Sequence, residues 1–135
     1  MNSLTRTIIL FAIPALLPAH SLLADDPQEV RDTNASQVAE AWFVSLMKGN
    51  TAVTTSLSEV PFSFDRKQEV GDLKQLRNIY DQIVSKKGKR DLVPSSIEVK
   101  SPEPEKVEVV LMVGDEGVLV LIKPGDAYKV IGFSD

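Results

Sequence analysis

The spacing of apolar residues along this chain switches between a period near four and a period of two, and stays at two after Pro94. Val38, Trp42 and Leu46 recur every fourth residue, and Ala39, Phe43 and Met47 form the adjacent row. Gln37, Glu40 and Lys48 lie opposite, so the spacing predicts an amphipathic helix from about Ala35 to Lys48. Asn34 is placed to cap its start, and Gly49 to end it in the left-handed conformation. Residues 25–34 are polar and are expected to form a flexible N-terminal segment. Thr51 to Leu57 adds one short helical turn. A second helix follows from about Leu73 to Lys87, with Leu73, Leu76, Tyr80, Ile83 and Val84 on one face. Asp72 is its N-cap, Gln75 stands at the capping-box spacing, Lys86 and Lys87 favour its C-terminal end, and Gly88 closes it.

Between the helices, Val60 to Asp65 reads as a short strand with Phe62 and Phe64 on one side, and Arg66 to Gly71 as a polar connection. After Pro94 the alternation is that of strands. Ser96 to Lys100, Lys106 to Val113, Val118 to Lys123 and Ala127 to Phe133 are separated by Pro102 and Pro104, by Gly114 to Gly117, and by Pro124 to Asp126. Two helices and a short strand ahead of an antiparallel meander predict an α+β domain: a curved sheet with helices on its concave face. Val110, Met112, Leu119 and Leu121 fall where a one-sided sheet would be polar. The helices cover one face only, so the expectation is a homodimer through the outer face.

The first 24 residues stand apart. Arg6 is a short positive region, Ile8 to Leu17 is apolar, and Pro18 to Ala24 is broken and small, as in a secretory signal peptide. Cleavage is expected after Ser21 or Ala24. The apolar run carries Pro14 and falls short of a membrane span, so no stable membrane anchor is expected. The protein is therefore expected to be secreted or periplasmic, with residues 35–135 as its single domain. No cysteine exists to receive a lipid.

Composition narrows the chemistry. The chain has one histidine, His20, and no cysteine, and His20 leaves with the leader. A Ser-His-Asp triad, a thiolate nucleophile and an imidazole or thiolate zinc site are all excluded from the mature chain. Neither a metal site nor a cofactor is expected. The core alone must stabilise about 110 residues, enough for one domain. Removal of Arg6 leaves 14 basic against 19 acidic residues, a net charge of −5 that argues against nucleic acid as partner. The basic run Lys86-Lys87-Gly88-Lys89-Arg90 has no interleaved aromatics and is explained by a helix C-terminus.

The opening helix Ala39-Glu40-Ala41-Trp42-Phe43, ending in Lys48-Gly49-Asn50, resembles the nuclear-transport-factor-2-like superfamily. So do Pro61-Phe62-Ser63-Phe64-Asp65, the helix Leu73 to Val84 and the closing strand Tyr128 to Phe133. This superfamily, also called cystatin-like, includes SnoaL-like and ketosteroid-isomerase-like proteins, and the likeness extends to small secreted bacterial members. It covers nearly the whole mature chain. It implies a cone whose helices and concave sheet face enclose a pocket, with a convex face that often serves dimerisation. Its enzymes use an Asp base with a Tyr or a second acid. No family catalytic residue aligns with a position here.

The candidate ligand-binding residues are Trp42, Phe62, Phe64, Arg77, Tyr80 and Phe133, the aromatics as cavity lining or core and Arg77 at a pocket mouth. Asp65 and Tyr80 are the catalytic candidates: an inward Asp65 would be desolvated into a base, and Tyr80 would steady developing charge. The leading expectation is an exported, non-enzymatic binding or interaction module for a small apolar ligand. A carboxylate-dependent isomerase or lyase is the alternative, and a structural domain with a filled pocket is the third. N-terminal sequencing of the native protein should begin at Leu22 or Asp25; an intact Met1 on a cytoplasmic protein would disprove export.

Overall fold

The computed structural model describes residues 5–8, 26–103 and 105–135, with the backbone path alone for residues 5–8, 101 and 102. Apart from Ile8, the leader's apolar run lies outside the described residues, as do His20 and both cut sites. Three helices, α1 (Pro27–Lys48), α2 (Thr51–Ser56) and α3 (Leu73–Lys87), accompany seven strands. The strands are β1 (Thr5–Ile8), β2 (Ser58–Phe64), β3 (Gln68–Val70), β4 (Ser96–Glu103), β5 (Lys106–Val113), β6 (Glu116–Lys123) and β7 (Lys129–Ser134).

α1 begins two turns earlier than the apolar spacing predicts. The Asp26 side chain accepts a hydrogen bond from the Gln28 N–H at 3.1 Å, and Pro27 supplies a preset φ where an N–H would have no partner. Residues 27–34 are thus helical, and Asn34 lies inside the helix. The buried stripe continues upstream through Ser36 and Asp32, polar residues that an apolar count passes over. The Ser36 hydroxyl donates to the Asp32 carbonyl at 2.7 Å, and Arg31 pairs with the Asp32 carboxylate at 3.6 Å. The other end follows expectation. Gly49 sits at φ 83°, its N–H donates to Leu46, and the Asn50 N–H donates to Ser45, which satisfies two of the last carbonyls.

The polar connection after β2 holds a strand. Asp65 and Arg66 both take positive φ, 54° and 61°, and the Lys67 N–H bonds the Phe64 carbonyl at 3.0 Å. This is a two-residue hairpin turn of the primed kind, built without the usual Asn-Gly. It returns the chain as β3 and buries Val70 opposite Phe62. α3 starts at Asp72, whose carboxylate accepts from the Lys74 N–H at 3.0 Å. Leu76 and Tyr80 are its buried residues, whereas Leu73, expected on that face, is 43% exposed in the first turn.

The sheet order is β1-β4-β5-β6-β7-β2-β3. Strands β4 to β7 form an antiparallel meander, and β2 joins β7 in parallel. Ile97, Val99, Val107, Val109, Leu111, Val118, Val120, Ile122 and Val130 are buried, and α1 lies across β4 to β7. An extra residue at Ile131 shifts the β6–β7 register, pairing Ile122 with Val130 and Leu121 with Gly132. Strand β2 approaches there so closely that a Cβ on Gly132 would stand 2.8 Å from the Ser63 hydroxyl and 2.9 Å from Leu121. On the outer face Val110, Met112, Leu119 and Leu121 are half-buried, and Val110 pairs across strands with Leu119. This is an α+β domain with helices on one face of an open mixed sheet.

One buried node joins α1, α2, β2 and α3. Trp42, Phe62 and Tyr80 are fully buried, with ring centroids 6.0 to 6.4 Å apart. The Trp42 indole N–H donates to the Tyr80 hydroxyl at 3.1 Å. The Ser58 hydroxyl donates to the Thr54 carbonyl at 2.7 Å. Ser58 has one proton, so in its 2.8 Å contact with Tyr80 it accepts and Tyr80 donates. Burial pushes the Tyr80 phenol up to about 12, and its bonds to Ser58 and Trp42 offset part of that rise. The neutral phenol is therefore the folded form. Its contribution is intact below the unfolded value near 10 and is lost as pH rises through the folded value near 12. Stability should accordingly fall across that alkaline window by roughly 2–3 kcal/mol. Tyr80→Phe should remove that slope, as denaturant melts at a series of pH values will show. Trp42→Ala should cost about 3–5 kcal/mol; an unchanged melting curve would refute the placement.

Candidate functional site

A cavity of about 130 Å³ opens between the ends of α1 and α3 and the adjoining sheet. α1 contributes Phe43, Leu46 and Met47, α3 contributes Ile83, and the segment after α3 contributes Leu92. The sheet supplies Val113, Val118 and Phe133. Each sits there for a local reason. Phe43 and Leu46 continue the buried stripe of α1. Phe133 faces the cavity because the extra residue at Ile131 restores the inward phase, setting it opposite Val120 and Phe64. The segment after α3 is held by the Arg90 N–H, which donates to the Met47 carbonyl at 2.7 Å and so uses an end carbonyl of α1.

The mouth is charged. Lys87, Arg90, Glu116 and Asp135 all border the cavity and are exposed. More cations lie just outside, since Lys48, Lys89 and Arg90 border a shallow neighbouring depression with Asp91, and Lys48 pairs with Asp91 at 3.7 Å. The basic run after α3 and the C-terminal end of α1 therefore meet at one end of the molecule. Two helix C-termini account for the preference for cations there. Such a cavity can take a compact apolar group while its polar end remains at the mouth.

The structure separates the candidate residues. Phe133 lines the cavity. Trp42, Phe62 and Tyr80 are sealed in the node described above, and Phe64 packs on Phe62 and Phe133 at ring-centroid distances of 5.0 and 6.2 Å. Arg77 is exposed on α3 and does not border the cavity. Asp65 is exposed at the tip of the β2–β3 turn, where its N–H donates to the Phe133 carbonyl at 2.9 Å. Tyr80 has committed its one proton to Ser58. Asp65 and Tyr80 thus do not meet at a common cavity.

Of the residues that line the cavity, Phe133 is a binding candidate of the sequence, the residues of α1 and the basic run read there as core or helix-end charges, and Leu92 and Asp135 carry no signal. Phe43, Leu46 and Met47 belong to the apolar face of α1, and Lys87 and Arg90 to the basic run. Their convergence depends on the path after Gly88, which carries no periodic signal. Among the described residues no cluster of three or more His, Cys, Asp or Glu could hold a metal ion. No helix among them is long and apolar enough to cross a membrane.

No family model matches the chain, and no curated protein does. Solved structures resemble it. A protein titled "Rd1NTF2_04 with long sheet" shares 9% identity at a TM-score of 0.44, over 74% of this chain and 97% of that one. A DUF4783 family protein from Bacteroides ovatus shares 13% identity at 0.44, over 77% and 94%. An NTF-2 like protein from Burkholderia xenovorans shares 11% identity at 0.44, over 78% and 83%.

Proposed function

We propose that the chain is an exported, non-enzymatic binding module whose cavity takes a small apolar ligand carrying a charged or polar end. The observation that supports this best is the contrast within one cavity: eight apolar side chains inside and four exposed charged ones at its mouth. Size sets the ligand class. Sites for drug-sized ligands run about 300–1,000 Å³, whereas a cavity near 150 Å³ accepts a benzene-sized guest. At about 130 Å³ this one suits a single ring or a short branched chain. Affinity should be modest, on the order of tens of micromolar to millimolar for so few atoms.

Binding is favoured over catalysis because the carboxylates that border the cavity, Glu116 and Asp135, stand exposed at its mouth and not among the apolar side chains inside. The alternative of a carboxylate-dependent isomerase draws no support from Asp65 and Tyr80, which the fold keeps apart. A purely structural domain would have no reason to leave apolar surface open between Met47, Ile83 and Phe133.

Ligand-observed magnetic resonance with benzoate, cyclohexanecarboxylate and benzyl alcohol tests the reading. Binding of at least one probe is expected, with Val113→Phe abolishing it by filling the cavity while the melting curve stays cooperative. Arg90→Ala should weaken the carboxylates several-fold and leave benzyl alcohol unchanged. Absence of binding by all three at about 10 mM would overturn the proposal.

A further inference from the structure

We propose that the β4 edge is the self-association surface of the processed chain: two copies pair antiparallel, β4 against β4, in the register that sets Glu98 opposite Lys100. The proposal rests on the export reading, because this edge is bare only after the leader has gone. In the full chain β1 occupies it, antiparallel, with Thr5 opposite Lys100, Arg6 opposite Val99, Thr7 opposite Glu98 and Ile8 opposite Ile97. The backbone of residues 97–100 therefore has the geometry to accept an added strand. Every β1 residue lies upstream of both cut sites.

Removal of β1 makes β4 the terminal strand of the sheet. A terminal strand presents a row of backbone donors and acceptors and acts as a template for another strand. On β4 the usable stretch ends after Lys100, where a register shift against β5 bends the strand.

The side-chain pattern then selects the occupant and the register. Ile97 and Val99 are buried on the inner face, and Glu98 and Lys100 alternate with them on the outer one. Pairing that slips by one residue would oppose inner to outer positions. Pairing about a two-fold axis through Glu98 would bring the two Glu98 carboxylates together, and an axis through Lys100 would bring the two ammonium groups together. An axis through Val99 does neither. It sets Glu98 of each copy opposite Lys100 of its partner, twice, and continues the apolar inner face from Val99 to Val99. Opposite charges directly across an antiparallel pair stabilise it, and like charges oppose it. A second copy is thus the complementary partner, and the homodimer expected from the sequence is placed at the sheet edge rather than on the outer face.

The chain has no cysteine, which makes cross-linking clean. Glu98→Cys and Lys100→Cys are each expressed as the full chain in an exporting host, and the N-terminus of each purified protein is sequenced. The two are then mixed and treated with an oxidant or a short bis-maleimide. The mixture should give several-fold more covalent dimer than either variant alone, and the native protein should sediment as a dimer. Equal cross-linking in all three samples, or a monomer at about 100 μM, would overturn the pairing. Loss of the dimer in Met112→Asp without the heterologous cross-link would assign association to the outer face and overturn it too. A retained Met1 would overturn the export reading and the pairing together; a removed leader with no cross-link would overturn the pairing alone.

Discussion

Trp42 cannot be buried on apolar terms alone. Its indole N–H needs an acceptor in a place that water does not reach, and an unmet donor there costs about 1–3 kcal/mol. Tyr80 supplies that acceptor from α3, and it in turn needs one for its own proton. Ser58 at the start of β2 provides it, and Ser58 is satisfied by the last turn of α2 through Thr54. Four elements are thereby fixed in relative position by one chain of donors and acceptors. Phe62 and Phe133 then pack against the indole at 6.4 and 5.3 Å. Most of the aromatic mass of the domain lies in this node, and Phe133 reaches from it to the cavity at the ends of α1 and α3.

That arrangement bears on function. The residues best suited to chemistry, a tyrosine and a carboxylate beside aromatics, are spent on holding the structure or on turning the chain. What borders the cavity is aliphatic side chains, two phenylalanines and exposed charges. Such a lining can exclude water and orient one end of a guest.

The elements that could be read from the sequence were those whose physics is periodic. The apolar rows of α1 and α3, the glycine at position 49 and the alternation through β4 to β7 each leave a regular trace. Other features left none. The first two turns of α1 bury Asp32 alone among residues 27–34, so their inward face looks polar. The Asp65-Arg66 turn places an arginine at positive φ, where no propensity argument would put it. β3 was hidden because it is three residues long and has one buried side chain. For the site, Phe133 was singled out among the aromatics. Lys87 and Arg90 read as helix-end cations, because Lys87 ends α3 and the path that brings Arg90 to the cavity is held by its backbone bond to Met47 and the Lys48–Asp91 pair, neither of which leaves a periodic trace.

The parallel pairing of β2 with β7 joins positions about 70 residues apart, from Ser58 with Val130 to Phe64 with Phe133. Such contacts carry the loop-closure cost that slows folding in chains of high contact order. β2 can take its place between β7 and β3 only after the final strand has been made. At about 5–20 residues per second, the N-terminal half of the chain emerges seconds before its sheet neighbour exists. The β2 strand, which anchors the indole node through Phe62, is thus left without its parallel neighbour until β7 has been made, so the node and the sheet are completed in one late step.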